Sequence, residues 1–267
     1  LEEEELRNRK LADTQMQADS LKTDITTAFI GHSSEYTVAR KSYTDNLTSS
    51  DTYGREFFND RFYLNPTQSH DSLRVMRLEN KVFIRLQPWK NDGIVSKLDI
   101  GLGDKLLNYY SFKPDSYLQG GTNEIFNSVY LYAGAQGQYE KYLKWDAKGL
   151  YTFLGHEIND FGIEANVSFS AYPFRRHRNS PLTVNAHFET TLKEPDYYQQ
   201  HMLTNHYRWD NDFGKISSTR LEASVSIPKW DLFGSFSYGL LSNNIYYDAM
   251  GVAMQNNSAM SVISANL

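Results

Sequence analysis

The sequence predicts an all-β chain whose antiparallel strands form a portion of a larger transmembrane β-barrel, led by a short N-terminal helix. Three observations carry the prediction. Hydropathy alternates with period two from Ile25 to the C-terminus, the signature of strands with unlike faces. The alternating runs reach about nine to eleven residues, the length that spans a bilayer when tilted, whereas strands of soluble sheets average nearer five or six. The third is composition: 19 Tyr, 15 Phe and 4 Trp make a chain of low mean hydropathy 14% aromatic, which argues against disorder.

The 267 residues suffice for one large β domain or two ordinary ones. A net charge of −5 with both signs dispersed gives no basic stripe, so nucleic acid is not an expected partner. Cysteine is absent, which removes disulfides and thiolate metal sites. No run of about eighteen apolar residues exists, so a transmembrane helix is excluded; barrel strands are not, because their hydropathy signal is much weaker.

Residues 1–24, opening LEEEELRNRKLADTQMQADSLK, favour helix and place acids before bases, as the helix dipole prefers. Leu6, Leu11 and Met16 make no continuous apolar stripe, so this leader reads as a solvated helix, with a plug or partner-binding helix as the other reading. Leu1 follows no signal peptide, and the closing SVISANL reads as a strand stopped in mid-course; the chain is expected to be part of a longer one, its barrel incomplete over 25–267.

In RVMRLENKVFIRLQ, residues 74–87, Met76, Leu78, Val82, Ile84 and Leu86 share one face, interrupted by Asn80. Arg77, Glu79, Lys81 and Arg85 share the other, with Phe83 as the exception. Residues 94–104 set Ile94, Leu98, Ile100 and Leu102 against Lys97 and Asp99. Residues 161–172 alternate most cleanly, with Ile163, Ala165, Val167 and Phe169 opposite Glu164, Asn166 and Ser168. Residues 182–191 oppose Val184, Ala186 and Phe188 to Asn185, His187 and Glu189; residues 219–227 oppose Leu221, Ala223 and Val225 to Arg220, Glu222 and Ser224. Less regular strands are expected at 27–37, 124–136, 145–154, 201–210, 232–241 and 259–267, roughly ten to twelve in all.

QPWKNDG, GHEIND, WDNDFGK and IPKWDLFG supply turn residues for short connections, whereas DKLLNYYSFKPDSYLQGGTN, KEPDYYQQH and NNIYYDAMGVAMQNNS read as long loops. Trp89, Tyr109, Tyr110, Tyr130, Tyr132, Tyr151, Tyr207, Trp209, Trp230, Tyr246 and Tyr247 gather near strand ends. There they read as interfacial aromatics, or as residues that any sheet favours.

Arg77, Glu79, Lys81, Arg85, Lys97, Asp99, Glu164, Asn166, Glu189, Arg220 and Glu222 would line water if the apolar face meets lipid. Burying such charges at the bilayer midplane costs about 2–4 kcal/mol each for Arg or Lys. They read either as selectivity charges or as a neutralised structural ladder. FRRHRN, residues 174–179, is a solvated run or an anion-attracting one. His187 with Glu189, and His156, Glu157 and Asp160, are weak metal candidates without a third persuasive ligand. No nucleophile elbow, phosphate loop or zinc-protease motif occurs, so neither an enzyme nor a cofactor is expected.

LRNRKLADTQMQADSLK, RLENKVFIRLQPWKNDGIVSKLDIGLGDKL and the stretch from HYRWDNDFGKISSTRLEASVSIPKW to SVISANL resemble the putative porins of Bacteroidetes-type outer membranes. The resemblance covers most of the chain and is most specific over 206–267. It implies an outer-membrane antiparallel barrel, longer than this chain, with no established catalytic residues to carry over. The expectation is therefore a porin-like barrel in a bacterial outer membrane, passing small hydrophilic solutes, with outer-membrane lipids around it and oligomerisation open. The alternatives are a soluble all-β module binding glycans on aromatic platforms and, behind it, an enzyme with its site on the long loops.

Overall fold

The structure is a computed structural model, and it describes residues 27–47, 52–59, 61–87, 94–112, 123–173 and 181–267. The expected leader helix over 1–24, Trp89 and the run 174–179 lie outside the described residues.

The period-two pattern folds into a meander. Strands β1 (Thr27–Asn46), β2 (Gln68–Gln87), β3 (Lys97–Phe112) and β4 (Asn123–Tyr139) are the longest. β5 (Leu143–Gly155), β6 (Phe161–Ala171) and β7 (Leu182–Lys193) follow. The chain then leaves the sheet for a small hairpin, β8 (His201–Leu203) and β9 (Arg208–Asp210), and returns as β10 (Ile216–Ile227) and β11 (Leu232–Ser242). A second hairpin, β12 (Ile245–Tyr247) and β13 (Ala253–Gln255), precedes β14 (Met260–Asn266). Two short helices, α1 (Thr52–Phe57) and α2 (Tyr197–Gln200), lie in connections.

Ten strands form one antiparallel sheet in the order β1-β2-β3-β4-β5-β6-β7-β10-β11-β14. Among the described residues β1 and β14 each pair on one side only, so this sheet is open.

Two expectations fail, for related reasons. The run 201–210 was expected to be a wall strand; it is the β8–β9 hairpin, broken by Thr204–Tyr207. DKLLNYY was expected to be loop; it is the second half of β3. There Leu107 and Tyr109 are buried, Tyr109 against the excursion that carries β8–β9, while Leu106 pairs with Leu78 on the other face. With both faces apolar, the alternation that marks a one-sided strand vanishes.

Residues opposed across an antiparallel pair share a face, so the register defines two surfaces. One is apolar: the rung Ile84–Ile100–Ala133–Gly149–Ile163 and the rung Leu86–Leu98–Ala135–Ala147–Ala165–Phe188–Leu221 run across it. It is uncovered, with Ile100 54% and Ile263 67% exposed, and no second layer of described residues packs on it. The apolar belt crosses the rungs diagonally. The rung through Val82, midway along the apolar run of β2, reaches Ser217 in β10, outside that strand's apolar stretch Leu221–Ile227. A diagonal belt is what tilted strands with a staggered register produce.

The connections from β1 to β2, from β7 to β10 and from β11 to β14 leave the sheet from one end, together with the tight turn 156–160. The tight turns 140–142 and 228–231 leave from the opposite end, as do the connections from β2 to β3 and from β6 to β7; the turn 228–231 is closed by Asp231 in the left-handed region at φ 51°, a conformation Asp tolerates.

Candidate functional site

The opposite face of the sheet gathers the polar side chains. Arg77, Glu79, Lys81, Arg85, Lys97, Asp99, Glu164, Asn166, Glu189, Arg220 and Glu222 all fall on it. They pair with one another: Arg85 Nε and a second guanidinium nitrogen donate to the two Asp99 oxygens at 2.7 and 3.0 Å. Lys97 reaches Asp99 at 3.2 Å and Lys148 reaches Glu164 at 2.8 Å. Arg77 joins Glu79, Lys105 joins Glu157, and Arg220 joins Glu222. Asn166 donates to Asp146 at 3.0 Å, and its carbonyl oxygen lies 2.7 Å from His187 Nδ1. The exposed pairs among them, such as Lys148–Glu164 and Arg220–Glu222, contribute only about 0–1 kcal/mol each to stability. Their effect is on the field: the face is highly charged yet locally neutral. Toward β10, β11 and β14 the charges give way to hydroxyls and amides. Ser168, Asn185, Ser224, Ser235, Ser237 and Ser264 line a trough of about 820 Å³.

Aromatic rings lie flat on this same face wherever a neighbouring strand supplies glycine. A Cβ on Gly31 would fall within the Phe83 ring, one on Gly101 would meet Tyr132, and one on Gly103 would fall within Tyr130. Tyr130 donates to Glu79, and the Lys81 ammonium sits 4.5 Å above the Tyr132 ring centroid. Tyr130 and Tyr132 were expected among the interfacial aromatics; register places them mid-strand on the polar face. Opposite Gly103 and Gly101, these rings find room on the polar face. Tyr207 and Trp209 also depart from that expectation, since both belong to the folded excursion described next. Trp230 stands in the turn 228–231, 61% exposed, and Tyr246 is exposed in β12 at the long-loop end. Trp145, not singled out from sequence, stands on the apolar face near the short-turn end and donates to the Ile94 carbonyl at 2.8 Å.

The excursion 194–215 folds over the polar face. It opens with α2, capped reciprocally: Asp196 accepts from the Tyr198 amide at 2.9 Å and Gln199 accepts from the Asp196 amide at 3.1 Å. Tyr109 of β3 donates to Asp196 at 3.2 Å, and the Tyr198 hydroxyl lies within reach of the Arg74 and Tyr110 carbonyls. At its far side Asn205, with no exposed surface, fastens three segments. Its side-chain oxygen accepts from the amides of Leu64 and Asn65 at 3.0 and 2.8 Å. Its side-chain nitrogen reaches the Asn65 and Gln68 carbonyls and Ser69 Oγ, and its own amide donates to Asp71. His206 completes the cluster, with Nδ1 2.9 Å from the Arg61 carbonyl, Nε2 2.7 Å from Ser69 Oγ and its ring stacked on Phe58 at 3.6 Å. The excursion ends at Lys215, which joins Asp160 and lies 3.1 Å from Glu194. Burial alone would lower the Lys215 pKa, but these two carboxylates outweigh it and raise it above the usual lysine value. The β12–β13 hairpin locks onto the same assembly through Gln255, bonded to both the amide and the carbonyl of Gly214.

The weak metal candidates have other partners: His156 stacks on Phe126 at 3.9 Å, Glu157 holds Lys105, and Asp160 accepts the Glu194 amide. Among the described residues no three histidines or carboxylates converge as metal ligands.

In comparisons with known proteins, a family model described as Putative porin matches residues 10–267. No curated protein and no solved structure matches.

Proposed function

Because the chain belongs to the putative porin family, we propose that its sheet is part of the wall of a closed barrel in a bacterial outer membrane, and that small hydrophilic solutes pass passively along the charged face. One observation carries this reading: a sheet with a continuous uncovered apolar belt on one face and a solvated, self-paired charge ladder on the other. Lipid satisfies the first face and a water-filled lumen the second. A soluble sandwich would instead cover its apolar face with another sheet.

The three connections that fold into helices or hairpins of their own support an orientation. Outer-membrane barrels carry short turns on the periplasmic side and longer loops outside, so the end bearing 47–67, 194–215 and 243–259 faces outward. The excursion 194–215 then narrows the lumen from within its outer half. The mutual neutralisation of the ladder makes the passage weakly selective between cations and anions, and the serine-rich trough presents uncharged hydrogen-bonding surface to polar solutes.

The test is conductance of the full-length protein, refolded in detergent and inserted into a planar bilayer. Stepwise currents with little preference between potassium and chloride are expected. A protein that stays soluble and monomeric without detergent, and gives no current, would overturn the reading.

A further inference from the structure

Between the excursion and the wall lies a space that the ladder does not use. On β1 and β2 the rungs Ala39–Val75, Lys41–Leu73 and Tyr43–Asp71 face the excursion. Above them two adjoining cavities open, of about 400 and 350 Å³. They share Lys41, Leu73, Met202 and Tyr247, so Lys41 stands at their common wall. The larger is walled mostly by rings, among them Tyr43, Phe58, Tyr207, Trp209 and Tyr247. Trp209 and Tyr247 lie 6.0 Å apart between centroids, and Tyr207 meets Trp209 edge-on at 6.3 Å. A concave, ring-lined space of this size with few polar groups matches the usual form of a small-molecule site.

Which polar groups remain for a ligand decides its class. Asp71 is turned to the Asn205 amide, and Asp196 to the Tyr198 amide and the Tyr109 hydroxyl. Both His206 nitrogens are engaged, and the Thr204 hydroxyl accepts from the Tyr207 amide. The Lys41 ammonium has no ion pair or hydrogen bond among the described residues. An unpaired cation beside aromatic walls seeks an anionic partner, since charge-assisted hydrogen bonds are the strong ones, while the rings reward a flat apolar body.

We propose that this space is a binding site for a small ring-bearing carboxylate, with its ring among Tyr207, Trp209 and Tyr247 and its carboxylate on Lys41. A polyhydroxylated sugar fits less well, because besides Lys41 only the Tyr207 and Tyr247 hydroxyls are left to bond it among the described residues, while Asp71, Asp196, Thr204 and His206 are bonded within the protein. The site stands on the excursion and the wall alone, and it does not depend on passage through the lumen.

The test is calorimetric titration of the full-length protein in detergent with benzoate, which separates this proposal from the porin reading because no bilayer or current is involved. Saturable binding is expected, about tenfold weaker in Lys41→Gln, as for loss of one charge-assisted hydrogen bond. Benzamide, which keeps the ring without the charge, and acetate, which keeps the charge without the ring, should both bind at least about tenfold more weakly than benzoate. Tyr247→Ala, at an exposed ring, should weaken benzoate as well. Absence of saturable heat, unchanged affinity in Lys41→Gln, or acetate binding as well as benzoate would overturn the proposal.

Discussion

Replacing Asn205 by alanine should free the inward excursion while leaving the sheet intact. The side-chain oxygen accepts two hydrogen bonds, and the two N–H groups of its nitrogen are shared among three acceptors, all within 2.7–3.3 Å. Each such bond contributes about 0.5–1.5 kcal/mol net, and buried groups left without a partner cost about 1–3 kcal/mol apiece. Water entering the vacated space recovers part of this, so the net loss of docking should be about 3–5 kcal/mol. That loss falls on local opening, because the wall strands keep all their ladder bonds. The assay is amide hydrogen exchange at Leu64 and Asn65 in the detergent-folded protein. Exchange there should accelerate at least about a hundredfold, with β5 and β6 unchanged. Asn205→Asp sharpens the test: it keeps the acceptor for the two amides but turns a carboxylate oxygen toward the Asn65 and Gln68 carbonyls, so it should be at least as damaging as alanine. Acceleration below tenfold in a folded Asn205→Ala protein would refute the view that this side chain holds the three segments together.

Other perturbations probe the wall. Gly103→Ala should destabilise the folded protein by about 1–3 kcal/mol, since the new methyl displaces the Tyr130 ring; Gly134→Ala, whose nearest neighbour would be 3.7 Å away, should be tolerated, and denaturant midpoints would compare them. Ile100→Arg puts a cation on the apolar belt and should cost about 2–4 kcal/mol in liposome-folded protein if that face meets lipid near its midplane; an unchanged midpoint would place the residue in water. Neutralising Arg77, Lys81 and Arg85 together removes three cations, leaving Glu79 without Arg77 and Asp99 with Lys97 alone, so the reversal potential in a salt gradient should move toward cation preference. The Lys215 ammonium, with its raised pKa, contributes stability that is fully present below the unfolded lysine value of about 10.4 and is lost as pH rises through the folded value. Proteolysis of the excursion should therefore quicken only in strongly alkaline buffer, and Lys215→Met should remove that pH dependence.

The wall was legible in the sequence and the cap was not. Along most of the wall one face is uncovered by protein and the other is polar, so most strands write their alternation openly; Ile163 to Phe169 against Glu164 to Ser168 needed no partner to be read. Where the excursion covers the polar face, β3 loses its polar alternation at Leu107 and Tyr109, and the strand reads as loop. The register of glycines against Tyr130 and Tyr132 depends on which positions oppose each other across two strands, information that no single strand contains. Asn205 gives the least warning. Nothing in its neighbours Thr204, His206 and Tyr207 marks it, because its partners arrive from another part of the chain.

That remoteness has a consequence for assembly. The partners of Asn205 lie 134 to 141 residues away in sequence, and the span between them is laid out as successive strand pairings from β2 to β7. A slip of one residue in any of those pairings shifts the strand by about 3.3 Å and exchanges its faces. Either error carries the excursion away from Ser69 and Asp71, or presents it to the wrong side of the wall. The buried asparagine can close only when every intervening register is correct, so it acts as a proofreading contact: a local latch whose fastening certifies the alignment of strands it never touches.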